Sequence, residues 1–219
     1  MYAIVNGLKL FYHKEGSGRP VILLHGNGED HTIFDVAMKD LARSYTVYAL
    51  DSRSHGKSDP VPTLTYREMA EDVAAFIRQQ GLAKPALVGF SDGGVVALLV
   101  ALRWPDLPGR LVVAGANMTP AGIKQPWRTL MRVQNRISPD PKLDLMLTQP
   151  HLAGWQLTGI TAPTLVLAGE KDLIDENQTR RIARSIPGAK LLILPGETHG
   201  SYVIHSDKLY PAMANFLRG

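Results

Sequence analysis

The sequence predicts an α/β protein, an eight-stranded and mostly parallel sheet flanked by helices. Three observations carry that prediction. Short apolar runs alternate along the chain with amphipathic helical stretches, the pattern of a parallel sheet covered on both faces. The central runs, such as Val21-Ile22-Leu23-Leu24, are apolar at every position, as strands buried on both sides are. One segment, residues 118–159, interrupts the rhythm with several prolines and no strand-like run.

Taken in order, residues 2–5 and 8–13 read as a β-hairpin closed by Asn6-Gly7, a strong turn pair. After Gly16-Ser17-Gly18 comes the strand at 21–24, then strands at 46–50, 86–88, 111–114, 164–167 and 191–194. Thr65-Tyr66-Arg67-Glu68 has the form of a capping box. It opens a helix with Met69, Val73, Phe76 and Ile77 on one face, ended by Gly81. A second helix covers Val95 to Leu102. A last helix, capped by Ser206, buries Leu209, Met213, Phe216 and Leu217.

The interrupting segment holds two predicted helices. The first carries Leu130, Val133 and Ile137 on one face and Arg128, Arg132 and Arg136 at helical spacing, read as a solvated stripe. The second follows Ser138-Pro139, read as cap and first helical residue, and shows Leu143, Met146 and Leu147. The segment lies between the sixth and seventh strands, above the strands' C-terminal ends where open α/β sheets bind ligands. The expected organisation is therefore a core of residues 1–117 and 160–219 with a short helical lid at 118–159.

Composition excludes several function classes. The chain has 219 residues, 45% of them hydrophobic and 20% charged, and no cysteine. Thiolate nucleophiles, disulfides and zinc–cysteine sites are absent by that count. A formal net charge of +4, spread diffusely, gives no dense footprint for nucleic acid. No apolar run approaches the ~20 residues a transmembrane helix needs. The opening Met1-Tyr2-Ala3-Ile4-Val5 lacks the basic and apolar regions of a secretory leader. The expectation is a cytoplasmic protein with no membrane or nucleic-acid partner; subunit number stays open.

Ser91 is the most informative residue. It stands in Gly89-Phe90-Ser91-Asp92-Gly93, between a strand-like run and a helix-like run. Glycine two places to either side fits a turn so tight that a Cβ at either position would collide, leaving the serine hydroxyl proud of the sheet. The competing reading is an ordinary serine helix cap. A nucleophilic serine needs a base, a group orienting that base, and donors for an oxyanion, each just past a strand end. His199 follows the strand at 191–194 and is placed to relay the serine proton. Of the other histidines, His13, His151 and His205 are poorly placed, His25 and His55 belong to other loops, and His31 could line the pocket rim. Asp172 follows the strand at 164–167 and is placed to hold the imidazole. Glu170 is too close to the strand end, Asp175 reads as a helix cap, and Asn117 carries no charge. The expected oxyanion donors are the backbone N–H groups of Asp92 and of Asn27, the latter in His25-Gly26-Asn27-Gly28.

Serine, acid and histidine in that order, each after its own strand, make the chain resemble the α/β-hydrolase superfamily. The similarity takes in the hairpin, the 25–28 loop, Asp51 to Ser58, the elbow, Gly169-Glu170-Lys171-Asp172 and Gly196-Glu197-Thr198-His199-Gly200. In such enzymes the Asp51–Ser58 loop usually has a glycine where this chain has Ser54 and His55, so that turn is expected to differ. A serine in the elbow speaks against the dehalogenases and epoxide hydrolases of the superfamily, which use aspartate there. The resemblance implies hydrolysis of a small-molecule carboxylic ester through an acyl-enzyme, with no metal or organic cofactor. Thioesterase, carbon–carbon hydrolase, perhydrolase, lyase and non-catalytic ligand-binding readings stay open. Ser91-Asp92-Gly93-Gly94 also resembles the elbow of some amino-acid ester hydrolases, in which the carboxylate pairs with a substrate ammonium. The preferred reading of the Asp92 side chain is that it caps or complements its own helix.

Overall fold

The computed structural model describes residues 1–219. Eight strands form one sheet: β1 (Tyr2–Val5), β2 (Leu8–Glu15), β3 (Arg19–Leu24), β4 (Tyr45–Leu50), β5 (Ala86–Phe90), β6 (Arg110–Ala114), β7 (Thr164–Lys171) and β8 (Lys190–Thr198). Their order is β1-β2-β4-β3-β5-β6-β7-β8. The pairs β1–β2 and β2–β4 are antiparallel and every later pair is parallel. The hairpin turn uses positive φ at both Asn6 and Gly7, as its sequence demands.

Alternation along β3 shows why both faces must be covered. Ile22 and Leu24 enter one buried cluster, Val21 and Leu23 the other, because successive side chains leave a strand on opposite sides. The first cluster is closed by α2 (Tyr66–Gln79), α3 (Asp92–Arg103) and α7 (Glu176–Ser185) through Met69, Val73, Phe76, Val95, Leu98 and Ile182. The second is closed by α1 (Asp35–Leu41) and α8 (Leu209–Arg218) through Ala37, Met38, Leu41, Leu209, Met213 and Leu217. The short α1, entered through a 3-10 turn at His31–Phe34 that Asp30 caps, is an element the sequence reading lacked.

Several local expectations need correction. Thr65 does accept the Glu68 N–H, but the Glu68 carboxylate takes the Thr65 hydroxyl and pairs with Arg53 instead of closing the second half of a capping box. Ser206 accepts the Lys208 N–H one turn before α8 begins. In the segment 118–159 the helices are α4 (Trp127–Ile137), α5 (Pro141–Thr148) and α6 (Gly154–Leu157). The cap and first residue of α5 are Asp140 and Pro141, not Ser138 and Pro139. A carboxylate accepting the Lys142 N–H outcompetes the hydroxyl two residues earlier. Ser54 stands where the resemblance implied a glycine. It adopts φ +60, a left-handed conformation costly to a side chain, while its hydroxyl accepts the Val61 N–H.

The segment is tied to the core from below. Met118, Leu145, Leu152 and Leu157 are buried in the first cluster. Ile123 bridges to Ile174, and Lys124 N–H donates to the Leu173 carbonyl beyond β7. The face of α4 that carries Leu130, Val133 and Ile137 does not pack inward, however; all three are exposed. No helix is long and apolar enough to cross a membrane.

Candidate active site

Parallel strands end at one edge of the sheet, so single residues just past those ends become neighbours. Ser91 follows Phe90 at the end of β5, Asp172 follows Lys171 at the end of β7, and His199 follows Thr198 at the end of β8. The structure brings the three together. His199 Nδ1 lies 2.7 Å from Asp172 Oδ1, and His199 Nε2 lies 3.1 Å from Ser91 Oγ. With the Nδ1 proton given to the carboxylate, Nε2 is left as the acceptor for the serine hydroxyl.

Ser91 is held in an uncommon backbone conformation, φ 52 and ψ −116, and its hydroxyl makes no capping hydrogen bond to α3. Its N–H donates to Ala114 O and its carbonyl accepts from Gly94 and Val95, so both flanks of the elbow are pinned. A Cβ at Gly89 would run into the Gly93 backbone, and one at Gly93 into the Leu24 carbonyl. That is the collision the spacing implied. Gly115, at φ +61, serves the imidazole: a Cβ there would sit 3.0 Å from His199 Cε1 and 3.4 Å from Asp172 Oδ2.

Asp172 is buried. Its Oδ1 also accepts the Ile174 N–H, which fixes the carboxylate plane, while its Oδ2 has no hydrogen-bond partner. The hydroxyl of buried Tyr202 is likewise unpartnered, and burial with the nearby Asp172 charge pushes that phenol well above its usual range. Lys124 Nζ donates to the Asp172 carbonyl and tethers the loop from outside.

The 25–30 loop lies against the elbow. Gly26 is what permits the approach, since a Cβ on it would stand 3.1 Å from Ser91 Cβ. The backbone N–H groups of Asn27 and Asp92 have no acceptor within the protein. The Asn27 side chain is a three-way junction: Nδ2 donates to Asp92 Oδ2 and to the Lys142 carbonyl of α5. Asp92 Oδ1 accepts the Tyr66 hydroxyl at 2.7 Å. The Asp92 carboxylate thus neither caps its helix nor stands free. It is bound between Tyr66 and Asn27, and burial raises its pKa despite both donors.

Two residues that the sequence reading did not assign to the site belong to this network. Tyr66 is buried at the start of α2 and becomes harder to ionise through burial and the Asp92 charge. Glu29 accepts the Gly26 N–H at 2.9 Å and lines the same cleft; burial pushes its carboxyl up to about 7. A carboxylate two residues after Asn27, directly after the loop 25–28 assigned to the site, was the available signal for Glu29. Tyr66 had none. His31 is not at the pocket rim; it bonds Asp51 Oδ1 at 2.7 Å and stacks on His13. Buried His25 accepts the Ser52 N–H through Nε2, and burial lowers its pKa to about 4, so it is a neutral structural brace. His55 is buried and likewise shifted down by burial.

The cleft over Ser91 encloses about 260 Å³. Its polar wall is Asn27, Glu29, Asp92, Asn117 and His199, and its apolar wall includes Phe90, Ile123, Met131, Leu143, Met146 and Ile174. Met131, Leu143 and Met146 come from the 118–159 segment, which therefore forms one side of the site. The arrangement can deliver a hydroxyl oxygen to an electrophile, remove its proton, and offer two N–H donors to a developing anion.

Comparison with known proteins gives the family and the fold. A family described as the alpha/beta hydrolase fold matches residues 19–140, more than half of the chain. The human serine hydrolase BPHL is 26% identical, spanning 98% of this chain and 84% of that protein. Among solved structures, an enol-lactonase from Burkholderia xenovorans LB400 superposes with TM-score 0.84 at 21% identity, covering 100% of both chains. A thermophilic esterase from Thermogutta terrifontis gives TM-score 0.81 at 22% identity, covering 100% of this chain and 97% of that one. At such identities the superpositions speak for the fold alone.

Proposed function

Because the chain belongs to the α/β-hydrolase fold family, we propose that it hydrolyses small carboxylic esters through an acyl-enzyme on Ser91. The observation carrying this reading is the continuous hydrogen-bonded line from Ser91 Oγ through His199 to Asp172. Ser91 Oγ attacks the ester carbonyl as its proton passes to His199 Nε2. Asp172 stabilises the imidazolium and keeps the ring in register. The tetrahedral oxyanion is taken by the Asn27 and Asp92 N–H groups, which already lack protein acceptors. Collapse expels the alcohol, which receives the proton from His199. Water, deprotonated by the same nitrogen, then releases the acid and regenerates Ser91. No cofactor enters these steps, and the 118–159 segment acts as the cover of the acyl pocket.

The cleft volume supports short substrates. About 260 Å³ falls below the ~300–1,000 Å³ common for ligand sites, so acetyl and butyryl esters should be preferred over octanoyl ones. Labelling with a fluorophosphonate followed by peptide mapping should place the probe on Ser91. Turnover of p-nitrophenyl acetate should fall at least ~10⁴-fold in Ser91→Ala. Unlabelled Ser91, or turnover unchanged in Ser91→Ala, would leave a ligand-binding protein on a hydrolase scaffold as the better reading. Bond cleavage without release of a carboxylic acid would indicate a lyase.

A further inference from the structure

Two carboxyl groups, Glu29 and Asp92, line the cleft over Ser91, and no lysine or arginine does. Every donor they meet is neutral: the Gly26 N–H for Glu29, and the Tyr66 hydroxyl and Asn27 amide for Asp92. Lys124 directs its ammonium to the Asp172 carbonyl, and Lys142 meets Asn27 only through its backbone carbonyl. Asp92 is buried with both oxygens bonded, whereas Glu29 is half-buried and bonded through Oε2 alone. Glu29 also stands close to the nucleophile. A single point, the place a Cβ on Gly26 would take, lies 2.7 Å from Glu29 Oε2 and 3.1 Å from Ser91 Cβ. The fold needs an acceptor there but not a charge, since a glutamine carbonyl could take the same N–H. Burial pushes the Glu29 carboxyl up to about 7, so its ionised form is held against desolvation. A carboxyl perturbed in this way inside a cleft is a candidate for function.

We propose that Glu29 is a specificity-determining residue that bars carboxylates from the cleft. The inference rests on the ester hydrolysis proposed above and narrows its substrates to esters whose acyl part bears no free carboxylate. Like charges repel strongly where water is scarce, and the lining offers no cation to offset them. The same repulsion acts on the product. Water attack on the acyl-enzyme breaks the ester bond to Ser91 Oγ and yields the acid. At neutral pH that acid gives its proton to solvent and becomes a carboxylate in the same cleft as Glu29. A cleft of this sign holds its acid product weakly. The titratable groups acting on Glu29 are His199, Asp92 and Asp30. Asp30 bonds Thr32 and lies outside the lining. His199 serves every ester alike, so its titration cancels when two esters are compared on one protein.

The test compares kcat/KM of the full chain on dimethyl succinate and on monomethyl succinate, which are close in size and differ by one carboxylate. At pH 8 the parent should prefer the diester at least about tenfold, so that hydrolysis of the diester halts at the monoester. Between pH 8 and pH 6 the preference should shrink as Glu29 takes up a proton, the monoester staying ionised throughout. Glu29→Gln should reduce the preference at pH 8 at least about fivefold and remove its dependence on pH, with circular dichroism as the check on folding. Equal turnover of the two esters by the parent at pH 8 would overturn the inference. So would a parental preference that stays constant with pH, or one undiminished in folded Glu29→Gln. If Glu29→Gln cleaves neither ester, the pH dependence of the parent's preference decides. A parent that cleaves neither ester would instead overturn the hydrolysis itself, and the inference with it.

Discussion

Glu29→Gln should make the protein more stable at neutral and alkaline pH and leave it unchanged in acid. The Glu29 carboxyl is pushed from an ordinary 4.5 to about 7, chiefly by burial, with Asp92 and Asp30 adding negative charge. The Gly26 N–H and His199 oppose that shift without cancelling it. A carboxyl whose pKa rises on folding binds more proton in the native than in the unfolded state between those two values. Stability contributed by the protonated form is therefore complete below about pH 4.5 and is lost as pH climbs through about 7. At ~1.4 kcal/mol per pH unit, the rise from 4.5 to about 7 corresponds to roughly 3–4 kcal/mol, and partial solvent access reduces the expected gain to about 2 kcal/mol. Glutamine retains a carbonyl for the Gly26 N–H, so the loss of a hydrogen bond does not obscure the comparison. Urea unfolding of both proteins from pH 4.5 to 8 measures the effect. A difference that stays flat across this range would refute the reasoning, because it would mean that Glu29 ionises alike in both states.

Ser91→Gly and Ser91→Ala both remove the hydroxyl, but φ 52 is strained for alanine and free for glycine. The glycine variant should be ~1–2 kcal/mol more stable than the alanine one in chemical denaturation, with both equally inactive on p-nitrophenyl acetate. Asp72→Ala strips buried Arg53 of its bidentate partner, held at 2.7 and 2.8 Å, and should cost ~3–5 kcal/mol by urea titration. Asp92→Asn forfeits one of the two hydrogen bonds from Tyr66 and Asn27. Turnover should fall about tenfold, equally for an amine-bearing ester and its neutral analogue. A selective loss on the amine-bearing ester would assign substrate recognition to Asp92.

Periodicity carried most of the fold. Short, β-branched apolar runs such as residues 21–24 and 111–114 read as strands buried on both sides, and the alternating helices then favour a parallel arrangement. The positions of Ser91, Asp172 and His199 were legible for a related reason: each follows its own strand-like run within about five residues, and the strands run on to Phe90, Lys171 and Thr198, which brings all three to one edge of the sheet. What periodicity cannot encode is the direction in which a helix face points. Trp127, Leu130, Val133 and Ile137 share a face in any helix, and only the packing of the neighbouring segment turns it outward. Helix α1 escaped notice because seven residues give too few turns for a pattern. Tyr66 joins the site through a contact far along the chain, with Asp92, for which no local signal exists.

The amide of Asn27 gives the cleft a mechanical property. One NH₂ group clamps the elbow carboxylate with one proton and the first turn of α5 with the other, so moving the 118–159 segment off the cleft breaks a bond to the 25–28 loop. Admission of a guest too large for the closed cleft would therefore disturb the loop beside Ser91 as well as the segment above it.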